Sequence, residues 1–192
     1  MDEMDNQQVT PVELGWLAGI IDGEGYIGLR LDDQKGRQYR SIRPEIHVCN
    51  TEEVIVLMTA DIMKRLGVNG YIRAATGRTG VKDNYRVTIK RMAQAVILLK
   101  AIQPYLIGSK KERARLIIRF CELRLSNQGI RNPNIGDGKR GAGRIKPYTE
   151  EEMAIFELVG PMSRRGSSEA TREMQRHNSE IWAMMEARKD AS

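Results

Sequence analysis

The sequence predicts an α+β domain in which two helix–strand–strand repeats are followed by two helices. Two observations carry that expectation. Four short stretches alternate apolar and polar residues with period two, the pattern of strands with one buried and one wet face. Each pair of stretches is preceded by a segment with helical periodicity and recognisable start or stop signals. A hydrophobic share of 41% over 192 residues is enough apolar material for a packed core.

Thr10-Pro11-Val12-Glu13 is a capping box with proline at the first helical position, so a helix is expected from Pro11 to about Asp22, stopped by Gly23-Glu24-Gly25. In the first alternating stretch Ile27, Leu29 and Leu31 interleave with Gly28, Arg30 and Asp32. In the second, Ile42, Pro44, Ile46 and Val48 interleave with Arg43, Glu45 and His47. Thr51 to Leu66 reads as a helix with Ile55, Met58, Ile62 and Leu66 on its apolar side and Gly67 as its stop. Strands are expected over Tyr71 to Thr76 and Asn84 to Arg91, joined through the turn-rich Gly77-Arg78-Thr79-Gly80. A helix over Met92 to Ile102 ends before Pro104. The capping box Ser109-Lys110-Lys111-Glu112 opens another, with Ala114, Ile117, Ile118, Cys121 and Leu125 on one face.

This order gives a core domain over 1–125 and an extension over 126–192. Ser126 to Lys146 is rich in Gly, Asn, Arg and Lys, has no periodicity and reads as a mobile basic loop. Thr149-Glu150-Glu151-Glu152 caps a short helix to about Val159, and Ser167 to Lys189 reads as a last, mostly polar helix. Gly136-Asp137-Gly138-Lys139-Arg140-Gly141 fits a dinucleotide-loop pattern, but no strand precedes it and no helix follows promptly, so it reads as loop. Met174, Trp182, Met184 and Met185 read as packing.

Lys and Arg number 31 against 25 Asp and Glu, a net charge of +6, which makes nucleic acid a candidate partner without deciding the matter. No apolar run approaches the roughly 20 residues that span a membrane. The N-terminus, Met1-Asp2-Glu3-Met4-Asp5, is acidic and resembles neither a signal nor a transit peptide, so the chain reads as intracellular. Cys49 and Cys121 are isolated and read as buried thiols.

At 100° per residue, Gly15, Ala18, Gly19 and Asp22 fall on one side of the first helix and Leu14, Trp16, Leu17, Ile20 and Ile21 on the rest. The bulky residues can enter the core. Gly15 and Gly19 each cost the helix about 1 kcal/mol relative to alanine, sensible where another helix backbone comes close. Asp22-Gly23-Glu24-Gly25 then sets two carboxylates at the helix end, with glycines expected to permit a left-handed turn and to expose carbonyls. Acids gain nothing from the dipole at a helix C-terminus. Carboxylate beside free carbonyl suits a hard cation such as Mg²⁺, with a plain acidic turn as the alternative.

Leu17-Ala18-Gly19-Ile20-Ile21-Asp22-Gly23-Glu24-Gly25 resembles the nonapeptide of the LAGLIDADG homing endonucleases, with Ile for Leu at the fourth place, Gly for Ala at the seventh and Glu for Asp at the eighth. The likeness runs on to about Leu125, through Leu66-Gly67-Val68 and Gln103-Pro104-Tyr105-Leu106 before Ser109-Lys110-Lys111. It implies an αββαββα fold whose curved antiparallel sheet forms a saddle over double-stranded DNA, followed here by C-terminal helices. Members with one motif work as homodimers, so the resemblance implies that Gly15, Ala18, Gly19 and Asp22 meet a twin helix and that the target is near-palindromic. Glu24 then corresponds to the metal-binding acid, with the Gly23 carbonyl as a neighbouring ligand and Mg²⁺ (or Mn²⁺ or Ca²⁺) as the ion. Asn50 corresponds to the residue that orders solvent at the scissile phosphate. Lys110, or Lys111 if the preceding turn is a residue longer, corresponds to the basic residue that steadies transition-state charge. The implied chemistry is metal-assisted phosphodiester hydrolysis leaving short 3′ overhangs. A phage, bacterial or organelle gene is the implied origin.

Strand alternation nominates Tyr26, Arg30, Asp32, Arg43, Glu45, His47, Arg73, Asn84, Arg86 and Thr88 as DNA-facing. The basic group Lys139, Arg140 and Arg144 of the loop is expected to meet phosphates. The alternative is a non-cutting binder, an RNA-splicing maturase or a regulator. Glu24 and Lys110 argue against it, because a carboxylate repels phosphates and a pure binder has no need of one.

Overall fold

The computed structural model describes residues 8–32, 41–75, 83–127, 130–131, 144–145 and 147–159. The elements are α1 (Pro11–Glu24), β1 (Gly25–Asp32), β2 (Ser41–Asn50), α2 (Glu53–Arg65), β3 (Tyr71–Ala75), β4 (Asn84–Ile89), α3 (Met92–Ile102), α4 (Gly108–Ser126), β5 (Ile130–Arg131), β6 (Arg144–Ile145) and α5 (Glu150–Val159), with one 3₁₀ turn, Gln103–Tyr105, between α3 and α4. The strands β1 to β4 form one antiparallel sheet in the order β1-β2-β4-β3. This is the α+β repeat expected from the period-two stretches.

The core lies between one face of the sheet and the helices. Ile27, Leu29, Ile42, Ile46, Val48, Val87 and Ile89 supply the sheet side. Leu17, Ala18 and Ile21 of α1, Ile62 and Met63 of α2, Leu98, Leu99 and Ile102 of α3, and Ile117, Phe120 and Cys121 of α4 meet them. Tyr148, Met153, Ile155, Phe156 and Val159 join the same cluster, so the packed core continues into α5 beyond the boundary drawn at 125.

Both capping boxes that were expected at α1 and α5 form. The Thr10 hydroxyl accepts from the Glu13 N–H at 3.3 Å while the Thr10 N–H donates to Glu13, and Thr149 and Glu152 exchange the same pair of bonds at 3.2 and 2.7 Å. The box expected at Ser109 does not form. Residue Ile107 precedes α4 with no side-chain cap, and Glu112 is drawn to Arg115 at 2.6 Å instead. Helix α2 is rotated from expectation: Val56, Thr59, Ile62 and Met63 are buried, and Met58 is 46% exposed. Five successive apolar residues, Val54 to Met58, leave the buried row ambiguous in sequence. The Thr59 hydroxyl bonds the Ile55 carbonyl at 2.7 Å, which lets a polar residue take a core position. On α4, Arg124 rather than Leu125 turns inward.

The segment expected to be an unbroken loop contains a short ladder, Ile130 opposite Ile145 and Arg131 opposite Arg144. Residues Lys139 and Arg140, the Gly136–Gly141 pattern, the Gly77–Gly80 turn, Met1–Asp5 and the Ser167–Lys189 helix with its Met and Trp residues lie outside the described residues. No helix among the described residues is long and apolar enough to cross a membrane.

Candidate functional site

Helix α1 passes into β1 with no intervening loop, so Glu24 is the last helical residue and Gly25 the first of the strand. No left-handed turn occurs here. Gly25 is extended, at φ −94° and ψ 163°, and its N–H caps the Ile21 carbonyl. What the junction needs from Gly25 is room, since a Cβ there would lie 2.7 Å from Ile21 Cα and from the Ile21 carbonyl oxygen. That close fold-back leaves the Glu24 side chain exposed at the helix end.

Three further residues converge on this end. Lys110 Nζ donates to the carbonyls of Ile21 and Asp22 at 2.7 and 2.6 Å, a cation on the negative end of α1. Burial pulls the Lys110 ammonium below its ordinary value, and the charges of Asp22 and Glu24 oppose that pull. Lys111, the alternative to Lys110, is exposed. Asp22 Oδ2 accepts from the Ile107 N–H at 3.0 Å and so ties the turn before α4 to α1. Because Gly25 pairs with Val48, β2 ends at Asn50 on the same rim of the sheet as Glu24. Asn50 Oδ1 accepts from the Glu52 N–H at 2.9 Å. Glu24, Lys110 and Asn50, separated by up to 86 positions in the chain, therefore share one corner of the fold. Among the described residues no three His, Cys, Asp or Glu side chains gather into a metal cage.

The sheet face away from the core carries the side chains that alternation nominated. Register puts Tyr26 opposite His47, Arg30 opposite Arg43, His47 opposite Thr88, and Arg73 opposite Arg86. Arg30, Arg73, Asn84 and Arg86 are exposed, and Arg43 is half-buried. Glu45 is only 5% exposed, folded under Arg30 Nη1 at 3.1 Å, and Thr88 is 7% exposed between His47 and Tyr71 in register. The Tyr26 ring lies over Gly28, where any Cβ would strike its hydroxyl, and stacks on His47 at 5.1 Å. Burial, then the Arg86 charge, push the His47 imidazole below its ordinary value, with Glu45 opposing. For Asp32 and Arg144 the structure describes the backbone alone, in β1 and β6.

Sequence reading missed Tyr71, 69% exposed on this face of β3. The alternation that nominated Arg73 reaches it two positions earlier. Cys49 also differs from expectation: it is half-exposed on this face and accepts from Arg86 Nε at 2.7 Å. Cys121 is buried as expected, its thiol pushed up to about 12 by desolvation.

On α1, Ala18 is fully buried in the chain's own core, and the half-buried Asp22 is bonded to the Ile107 N–H at the edge of the open side. The open side is the row Val12, Gly15, Gly19 and Gly23. Val12 is 81% exposed, and no atom lies within 4 Å of where a Cβ would stand at Gly19 or Gly23. The four residues fall within an arc of about 80° at 100° per residue, which separates them from Ala18 and the core side.

This architecture is similar to that of solved homing endonucleases. I-CvuI in complex with its target is 19% identical over 88% of this chain and 95% of that chain, with a TM-score of 0.57. The archaeal intron-encoded homing endonuclease I-Vdi141I, complexed with DNA, is 12% identical over 87% and 97%, with a TM-score of 0.57. The homing endonuclease I-TnaI is 15% identical over 90% and 99%, with a TM-score of 0.55. The chain has the homing-endonuclease fold. No family model and no curated protein matches the sequence.

Proposed function

We propose that this chain is a LAGLIDADG homing endonuclease, a homodimer that hydrolyses double-stranded DNA at a long near-palindromic site with the help of divalent metal. The observation that carries the reading is the exposed Glu24 carboxylate at the α1–β1 junction, beside Lys110 and Asn50 and on the rim of an arginine-bearing sheet face. A non-cutting binder has no use for an acid in that place, since it repels the phosphates that the arginines attract.

The donor set fits a hard cation. Among the described residues Glu24 is the exposed carboxylate at the end of α1, while Asp22 is turned to Ile107. Mg²⁺ binds through one or two carboxylates and fills its remaining positions with water and phosphate oxygen. Glu24 from each of two copies, with the Gly23 carbonyls nearby, supplies that number once the open faces of two α1 helices meet. Bound there, the metal supplies Lewis acidity toward the phosphate and a more acidic water. The ammonium of Lys110 stands ready to balance charge gathering on the phosphate, and Asn50 orients water at the rim. Arg30, Arg43, Arg73 and Arg86 hold the duplex against the sheet and read guanine edges, while His47 and Asn84 read complementary patterns.

The test is a cleavage selection on a randomised DNA library with Mg²⁺, run with the wild type and with Glu24→Gln. The wild type is expected to enrich a near-palindromic site. Glu24→Gln is expected to lose cleavage while binding the enriched site in the absence of metal. Full cleavage by the variant removes Glu24 from the chemistry, and no enrichment by the wild type removes the function.

A further inference from the structure

Strand β2 is ten residues long, but only Ile46 to Val48 are paired on both edges. Pairing with β1 runs from Val48 back to Ser41, whereas pairing with β4 begins only at Ile46. Over residues Ser41 to Glu45 the β1–β2 ribbon therefore has no strand beside it on the β4 side among the described residues. A two-stranded ribbon is marginal by itself, and a bare edge leaves N–H groups unmet. Two features answer this. Residue 44 is proline and has no N–H to satisfy. The Ile42 N–H donates to the Tyr148 hydroxyl at 2.7 Å, across 106 positions of sequence.

Tyr148 is itself firmly seated. It is 2% exposed, stacks near Phe120 at 6.3 Å, and lies under the Arg124 guanidinium, whose carbon is 3.8 Å from the ring centre. Arg124 Nη1 donates to the Pro147 carbonyl at 2.8 Å and faces the fully buried Glu152 at 3.6 Å. Glu152 in turn closes the capping box of α5. A chain of contacts thus runs from α5 through α4 to the stretch of β2 that β4 does not reach, next to Arg43 and Arg30 on the outer face.

We propose that Tyr148 is a positioning residue: its hydroxyl clasps the free-standing half of the β1–β2 ribbon and so sets the angle at which Arg30 and Arg43 meet DNA. The clasp stands on the contacts above, and its consequence for DNA rests on the reading given under Proposed function. Side chains near the α1–β1 junction are at the other end of the ribbon, so Tyr148 tunes affinity and outer-base preference rather than the hydrolytic step.

Tyr148→Phe keeps the ring and removes only the bond. Amide exchange in the free protein is expected to quicken about tenfold at Ile42, the effect of losing one buried hydrogen bond, with amides of α1 and α3 unchanged. Unchanged exchange at Ile42 overturns the clasp whether or not the protein cuts DNA. On the site selected by the wild type, the variant is expected to show KM raised several-fold, kcat at saturating DNA unchanged, and relaxed base preference confined to one outer block of each half-site. A variant with faster exchange at Ile42 but the wild-type KM and base profile overturns the positioning role. If the wild type selects no DNA, the proposed function falls and the exchange result alone decides the clasp.

Discussion

Replacing Gly19 with alanine should have opposite effects on the chain and on its assembly. In the single chain no heavy atom comes within 4 Å of the new methyl group. The helix gains about 1 kcal/mol from the propensity difference between glycine and alanine, in the monomer and the dimer alike. That gain cancels in the association equilibrium. If two α1 helices approach through this row, each methyl group is driven into the opposing backbone, at about 1–3 kcal/mol per overpacked site. Twofold symmetry doubles the cost to about 2–6 kcal/mol, so the dimer dissociation constant should rise by at least about 30-fold. Sedimentation over a concentration series measures that constant, and urea unfolding of the dissociated chain measures the opposite change. A variant that dimerises as tightly as the wild type would mean that α1 does not face a twin through Gly19. Ala18→Gly gives the contrast: it should destabilise the subunit itself, because Ala18 is fully buried in its own core.

Gly25→Ala should destabilise the fold by about 1–3 kcal/mol, since the added carbon would press within 2.7 Å of helix backbone that cannot yield as a side chain can. Denaturant unfolding checks this, and an unmoved midpoint would mean that the helix–strand junction opens freely. Glu13 is held down to about 2, first by its hydrogen bond to Arg65 and then by the Thr10 N–H. Above its ordinary value of 4.5 the ionised Glu13 contributes in full. As pH falls toward about 2 the unfolded chain takes up a proton that the folded chain refuses, and the contribution drains away. Glu13→Gln should therefore be less stable than the wild type at pH 7 and lose less between pH 4.5 and 2.5. Parallel melting curves for the two proteins across that range would refute the linkage.

Much of the fold was legible because its signals are local. The capping boxes at Thr10 and Thr149, the alternation along β1 and β2 and the whole of α3 depend on residues within one or two turns of each other. The arginines of the outer face were legible for the same reason, since alternation alone decides which side of a strand a residue takes. Where several assignments satisfied the local pattern, the sequence could not choose. Apolar residues crowd the first turns of α2, and only packing against β2 and β4 selected Val56 and Thr59 over Ile55 and Met58.

The sequence by itself determined the order of helices and strands from α1 to α4, the acid at the end of α1 and the basic character of the sheet's wet face. Tertiary structure alone decided that Lys110 rather than Lys111 closes the end of α1, that Ala18 belongs to the core and Gly23 to the open row, and that Tyr148 holds the edge of β2. Periodicity and capping act over a few residues and can be read from the chain. Contacts between Asp22 and Ile107, or between Ile42 and Tyr148, join positions 85 and 106 residues apart and exist only once the core has brought them together.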